Sequence, residues 1–246
     1  MARSARPRVR EPLPPPLPPA SRTVGQLVAE TVRFYGQHFF RTLPLGLSVA
    51  ALTQLTVAFG RRHREPKGHP GSKALHDPTS LLGGGVETTI LLGSLLLTMS
   101  YIVAVVLVTG ARPDARRLVT AYSAGVLVFL PAPLLAQLLV LPAVAYLALV
   151  GWVVPAALVD GLGFRASFRR SFRLARVDYV HAAGGLATLV IVFYVTRLMM
   201  ALLLRSGAES TERVAAALSD IVLSPILFVG AALLYLDQAA RAEVSQ

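Results

Sequence analysis

The sequence predicts an all-α, polytopic transmembrane helical bundle of about six spans, with two interfacial amphipathic helices on the cytoplasmic side. Three observations predict it. The 246 residues are 54% hydrophobic and only 15% charged, and a mean hydropathy of +0.60 is too apolar for a surface that faces water. Long apolar stretches recur along the chain. Arginine gathers at alternate gaps between them, as the positive-inside rule requires of a multi-pass membrane protein.

Residues 1–20 read as a disordered basic tail. Pro12, Pro14, Pro15, Pro16, Pro18 and Pro19 remove helix donors and favour extended polyproline II. Arg3, Arg6, Arg8 and Arg10 resemble the start of a signal peptide, but prolines follow where its apolar core should lie. Residues 21–41 form the first amphipathic helix. Thr23 and Gln26 have capping-box spacing, and Val24, Leu27, Val28, Val32, Tyr35 and Phe39 recur mostly three or four apart. Gln26, Glu30, Arg33, Gln37 and Arg41 occupy the other faces, so this helix is expected along the cytoplasmic interface.

The transmembrane domain covers 42–236, with spans expected at about 42–59, 86–109, 119–141, 142–159, 182–204 and 218–236. The third and fourth are divided by little more than Pro142. An Arg-rich helix, 161–180, joins the fourth and fifth, and 237–246 is a second cytoplasmic tail. With the N-terminus inside, sixteen basic residues fall on cytoplasmic segments and seven on outer ones, which puts both termini in the cytoplasm. If the third and fourth spans were one re-entrant hairpin, four crossings would remain and both termini would stay inside. A single crossing there would move the C-terminus outside.

In the 161–180 segment, Phe164, Phe168, Phe172, Ala175 and Tyr179 share one helical face. Arg165, Arg169, Arg173 and Arg176 line the adjoining face, with Arg170 nearby. Aromatic rings at the acyl boundary beside guanidinium groups at the phosphates suit anionic lipid headgroups or a membrane-protein partner. The plainer alternative is a topological anchor. The net charge of +11 follows from such cytoplasmic ends, and no basic soluble domain exists to bind nucleic acid.

Val154-Pro155 through Asp160-Gly161-Leu162-Gly163, then Ala166 and Arg170-Ser171-Phe172-Arg173-Leu174-Ala175-Arg176, resembles a signature of bacterial glycerophosphodiester phosphodiesterase membrane domains and their stand-alone relatives. The opening helix, Val24-Gly25 to Phe39-Phe40 with Arg33-Phe34-Tyr35, is similar to the start of those domains. The resemblance runs from Thr23 onward. It implies fold and membrane location but carries no catalytic residues across, because the hydrolase of such proteins is a separate soluble domain.

Charges within the bilayer are costly unless paired or hydrated. Arg197 lies inside the fifth span, while Glu87 and Asp220 begin the second and sixth on the outer side. An ion pair of Arg197 with Glu87 or Asp220 is one reading. The other is Arg197 snorkelling to the outer headgroups. Asp160 and Asp237 end spans, Asp160 beside Arg165, and His38 and His181 sit at interfaces. His63, His69 and His76 lie in a Gly- and Pro-containing loop that gives no element to hold a metal, so none is expected.

The chain lacks cysteine, which removes disulfides, thiolate nucleophiles and Cys-ligated metals. HExxH, GxSxG and phosphate-loop motifs are missing as well. These absences point away from an enzyme, and no cofactor is expected. Lysine is confined to Lys67 and Lys73, and this arginine bias is typical of GC-rich bacteria. The expected protein is a non-enzymatic membrane, lipid-associated or partner-binding module of a bacterial plasma membrane. Prolines at or within spans (Pro44, Pro131, Pro133, Pro142, Pro155 and Pro225) keep a transporter or permease component as the alternative.

Overall fold

The computed structural model describes residues 18–62, 84–132, 134–135, 140–203 and 209–245, with side chains described for all of these except 56–62, 84–87, 201 and 209–213. All regular structure among them is helical. A 3-10 turn at Pro19–Ser21 leads into α1 (Val24–Gln37) and α2 (Phe39–Arg62). There follow α3 (Gly84–Thr109), α4 (Ala115–Phe129), α5 (Val140–Val150) and α6 (Val153–Leu158). The chain ends with α7 (Phe164–Val177), α8 (Tyr179–Leu203) and α9 (Glu209–Val244).

Four segments among the described residues are long and apolar enough to cross a membrane: Thr88–Thr109, Val140–Leu158, Tyr179–Met200 and Val214–Val244. The chain is therefore an all-helical protein with a membrane location. The two other expected spans fall on α2 and α4. Much of the C-terminal half of α2 has no described side chains. Helix α4 ends at Phe129, two residues before Pro131, and its 15 residues cover only about 22 Å. The expected span from Val119 to Leu141 is thus not one continuous helix.

Helix α1 carries the expected capping box. The Thr23 amide donates to Gln26 Oε1 at 2.8 Å, and the Gln26 amide donates to Thr23 Oγ1 at 3.4 Å. Its neighbours differ from the sequence reading, which laid its apolar face on lipid. Leu27, Thr31 and Tyr35 are buried by protein, and α1 runs antiparallel along α9. One end is pinned by Arg22 to Asp237, and the other by the Tyr35 hydroxyl, which donates to the Val222 carbonyl at 2.6 Å. Small residues make room for this packing. A side chain at Gly185 would meet both Leu27 and Leu234.

Helices α8 and α9 form an antiparallel pair, with Gly230 against Leu189 and Gly185 against Leu234. Only 17% of the α8 span is buried, against half of the α9 span, so α8 is the more exposed of the pair. Helices α4 and α6 pack as a hairpin, Gly125 fitting between Thr98 of α3 and Val154 of α6. At the hairpin's base the Arg117 guanidinium lies over Gly161. Residues 115 and 160 therefore lie at the same end of this hairpin.

Two prolines organise the interior. Pro155 has no N–H for the Gly151 carbonyl, and the α5–α6 break falls at Gly151 and Trp152. The Leu149 carbonyl beside this break accepts the Ser171 hydroxyl of α7 at 2.7 Å. In α9, Pro225 deprives the Ile221 carbonyl of its partner. That carbonyl faces Gly46 of α2, while its neighbours Asp220 and Val222 offer their carbonyls to Ser224 Oγ and Tyr35 Oη. The turn at Pro225 is thus contacted by Tyr35 of α1 and Gly46 of α2.

Candidate functional site

The expected Arg-rich helix is α7, and its position follows from the turn before it. Gly161 has φ +66°, a left-handed conformation that glycine adopts without a Cβ penalty. This turns the chain sharply after Asp160. The buried face of α7 is Ser167, Ser171, Leu174 and Ala175. Ser167 donates to the Leu162 and Gly163 carbonyls, and Ser171 donates to Leu149, so both hydroxyls are satisfied while their small size lets α7 approach α5 and α6. Phe168 packs half-buried beside Val150 and Val153, whereas Phe164 and Phe172 remain exposed. Helical periodicity isolates the aromatic and basic stripes but gives no reason to prefer serines for the buried side.

The arginines face outward over a cleft of about 540 Å³. Asp160, Leu162, Ala166 and the arginines Arg165, Arg169, Arg170 and Arg173 line it. Their roles differ. Arg170 Nε contacts Asp160 Oδ2 at 3.1 Å, and the Tyr235 hydroxyl donates to Asp160 Oδ1 at 2.9 Å. Asp160 and Arg170 therefore brace the turn against α9. Arg165, Arg169 and Arg173 form no ion pair among the described residues. They stand one turn apart, about 6 Å along the helix axis. Like charges at that spacing repel, so the stripe lowers the stability of α7 unless an anion compensates it. Arg176 lies exposed in the last turn, beyond the cleft.

Behind α7 the same end of the bundle carries a polar junction that the sequence did not reveal. Arg22 Nη1 lies 3.2 Å from Asp237 Oδ1, with Asp237 fully buried. Arg241 contacts Asp178 Oδ2 at 3.1 Å and donates to the Arg22 carbonyl at 2.6 Å. Asp178 also caps α8 through the His181 amide, and Gln238 donates to the Asp178 carbonyl. Arg22 and Asp237 are 215 residues apart, a separation at which no local pattern connects them. Asp237→Ala should remove the buried carboxylate contact of Arg22 and loosen α1. We expect trypsin to cleave after Arg22 or Arg33 at least tenfold faster in that variant. Unchanged protection would count against a docking role.

Among the described residues, Arg197 pairs with Asp220. Arg197 Nε lies 3.1 Å from Asp220 Oδ1, and its Nη2 donates to Asp220 Oδ2 at 3.3 Å, a two-point contact. Asp220 is fully buried, Arg197 is 32% exposed, and the Thr53 hydroxyl also bonds the carboxylate. The side chain of Glu87 lies outside the described ones, as do the loop histidines His63, His69 and His76. Among the described residues no group of three or more His, Asp or Glu is placed to hold a metal ion. In comparisons with known proteins, no family model matches the chain, and no curated protein or solved structure matches it.

Proposed function

We propose that the chain is a non-enzymatic membrane module that holds anionic lipid headgroups in the α7 cleft, at the cytoplasmic leaflet of a bacterial plasma membrane. The observation that carries this reading is the stripe Arg165, Arg169 and Arg173, which makes no ion pair among the described residues, over a cleft on a helix that adjoins apolar spans. Guanidinium forks match phosphate oxygens, and each basic residue near an anionic surface contributes about 1 kcal/mol. The Arg22–Asp237 contact supports keeping the segments that flank the bundle on one side. A relationship to the phosphodiesterase membrane domains is part of the proposal. The left-handed Gly161 gives the Asp-Gly pair of that signature a geometric role.

The test uses the full chain in nanodiscs of mixed phosphatidylcholine and phosphatidylglycerol, with retained lipid read by native mass spectrometry. Arg169→Ala/Arg173→Ala should lower phosphatidylglycerol retention by about thirtyfold, the equivalent of two such contacts. Retention equal to wild type would overturn the reading. A transporter or permease component is the second reading, favoured by the Arg197–Asp220 pair within apolar helices. Arg197-dependent solute flux in proteoliposomes would support it.

A further inference from the structure

An arginine that α7 does not supply lies against the turn between two of the cleft's lining residues, Asp160 and Leu162. Gly161 is not only a turn residue. A Cβ built there would meet Arg117 Cζ at 2.9 Å, Nη2 at 3.0 Å and Nε at 3.1 Å. Three guanidinium atoms at nearly one distance mean that the plane of Arg117 lies face-on against the Gly161 backbone. Arg117 belongs to the first turn of α4, so the cleft residues Asp160 and Leu162 sit beside an arginine from a second helix. Its own acidic neighbour holds it weakly, since Arg117 Nε and Asp114 Oδ1 are 3.9 Å apart and both side chains are largely exposed. The Asp114 carboxylate instead caps α4, accepting the Arg117 amide at 2.9 Å.

Arg165, Arg169 and Arg173 on α7 thus line the cleft with no ion pair among the described residues, and Arg117 on α4, weakly paired, lies against Gly161 beside it. The carboxylate within the cleft, Asp160, is occupied by Arg170 and Tyr235. A phosphodiester headgroup brings one negative charge to this set. A phosphomonoester brings about −1.5 to −2 at neutral pH and three strong acceptor oxygens. Apolar groups are also exposed next to these arginines along both helices, Leu118 and Val119 on α4 and Phe164 and Phe172 on α7. Those surfaces suit acyl chains and not a free ion.

We infer that the cleft selects a membrane lipid with a phosphomonoester headgroup, and that Arg117, seated on Gly161, is the residue that confers preference over phosphodiester lipids. This rests on the proposed anionic cleft, and the experiment separates the two. The full chain is reconstituted in phosphatidylcholine nanodiscs containing equal phosphatidic acid and phosphatidylglycerol, and retained lipids are counted by native mass spectrometry. Wild type should retain phosphatidic acid at least tenfold over phosphatidylglycerol. Arg117→Ala should bring that ratio to within twofold of unity by lowering phosphatidic acid retention much more than phosphatidylglycerol retention. Gly161→Ala should do the same by displacing Arg117, and Arg117→Ala, at an exposed position, keeps the test valid if Gly161→Ala fails to fold. Equal retention of the two lipids by wild type, or an unaltered ratio in Arg117→Ala, overturns the inference. Displacement of phosphatidic acid by inorganic phosphate at a similar concentration overturns the assignment to a lipid. If Arg169→Ala/Arg173→Ala lowers both lipids while Arg117→Ala changes nothing, the anionic cleft stands and this inference falls. If none of these variants changes either lipid, both fall.

Discussion

Replacing Arg197 with leucine should destabilise the protein by about 3 kcal/mol, the lower end of the cost of breaking a buried ion pair. The lower end applies because Arg197 is 32% exposed while Asp220 is fully buried. That asymmetry makes the two halves of the pair unequal. Arg197→Leu strands a buried carboxylate in an apolar helix with the Thr53 hydroxyl as its remaining side-chain support. Asp220→Asn leaves a long cationic side chain at the lipid-facing edge, where it can extend toward headgroups. Thermal unfolding in detergent should therefore rank Arg197→Leu well below Asp220→Asn. The double variant Arg197→Leu/Asp220→Leu should regain most of the loss. If Arg197→Leu melts with the wild-type profile, the pair is not structural.

Gly46→Val should be nearly as damaging. The first atom of any side chain at 46 falls on the Ile221 backbone, which has no rotamer through which to withdraw. Helices α2 and α9 would have to separate, at a cost of about 3 kcal/mol. The same contact shelters the carbonyl freed by Pro225, so separation would also leave a backbone acceptor without its neighbour in a region without water. Gly184→Ala is the control, because nothing lies within 4 Å of its Cβ position. It should be neutral or slightly stabilising through helix propensity. Equal yields of folded Gly46→Val and Gly184→Ala from detergent extracts would show that the crossing is looser than the structure describes.

The all-helical membrane architecture, the capped first helix and the basic character of α7 were legible from residue order. Hydropathy and capping depend on windows of a few to twenty residues, and this chain satisfies both without conflict. The Arg197–Asp220 contact was half legible. A charge in an apolar run demands a partner, but Glu87 and Asp220 fit that demand equally well. Boundaries were least legible where prolines crowd. The 129–142 segment reads as apolar throughout, yet α4 stops at Phe129 because hydropathy does not register a missing backbone donor.

Long-range pairings could not be read at all. Thr31 and Ser171 look like surface residues in a helical wheel, yet both are buried: Thr31 donates to the Leu27 carbonyl one turn back in its own helix, whereas Ser171 donates to the Leu149 carbonyl, which only packing brings within reach. Arg22 and Arg117 contributed to the sequence only as topological charge. Docking against α9 makes the first a strut, and contact with Gly161 carries the second to the edge of the arginine cleft. Apolarity is written residue by residue, so the chain announces that it enters lipid. Which guanidinium meets a carboxylate and which is left open depends on helix crossings that glycine notches and proline breaks set across hundreds of residues.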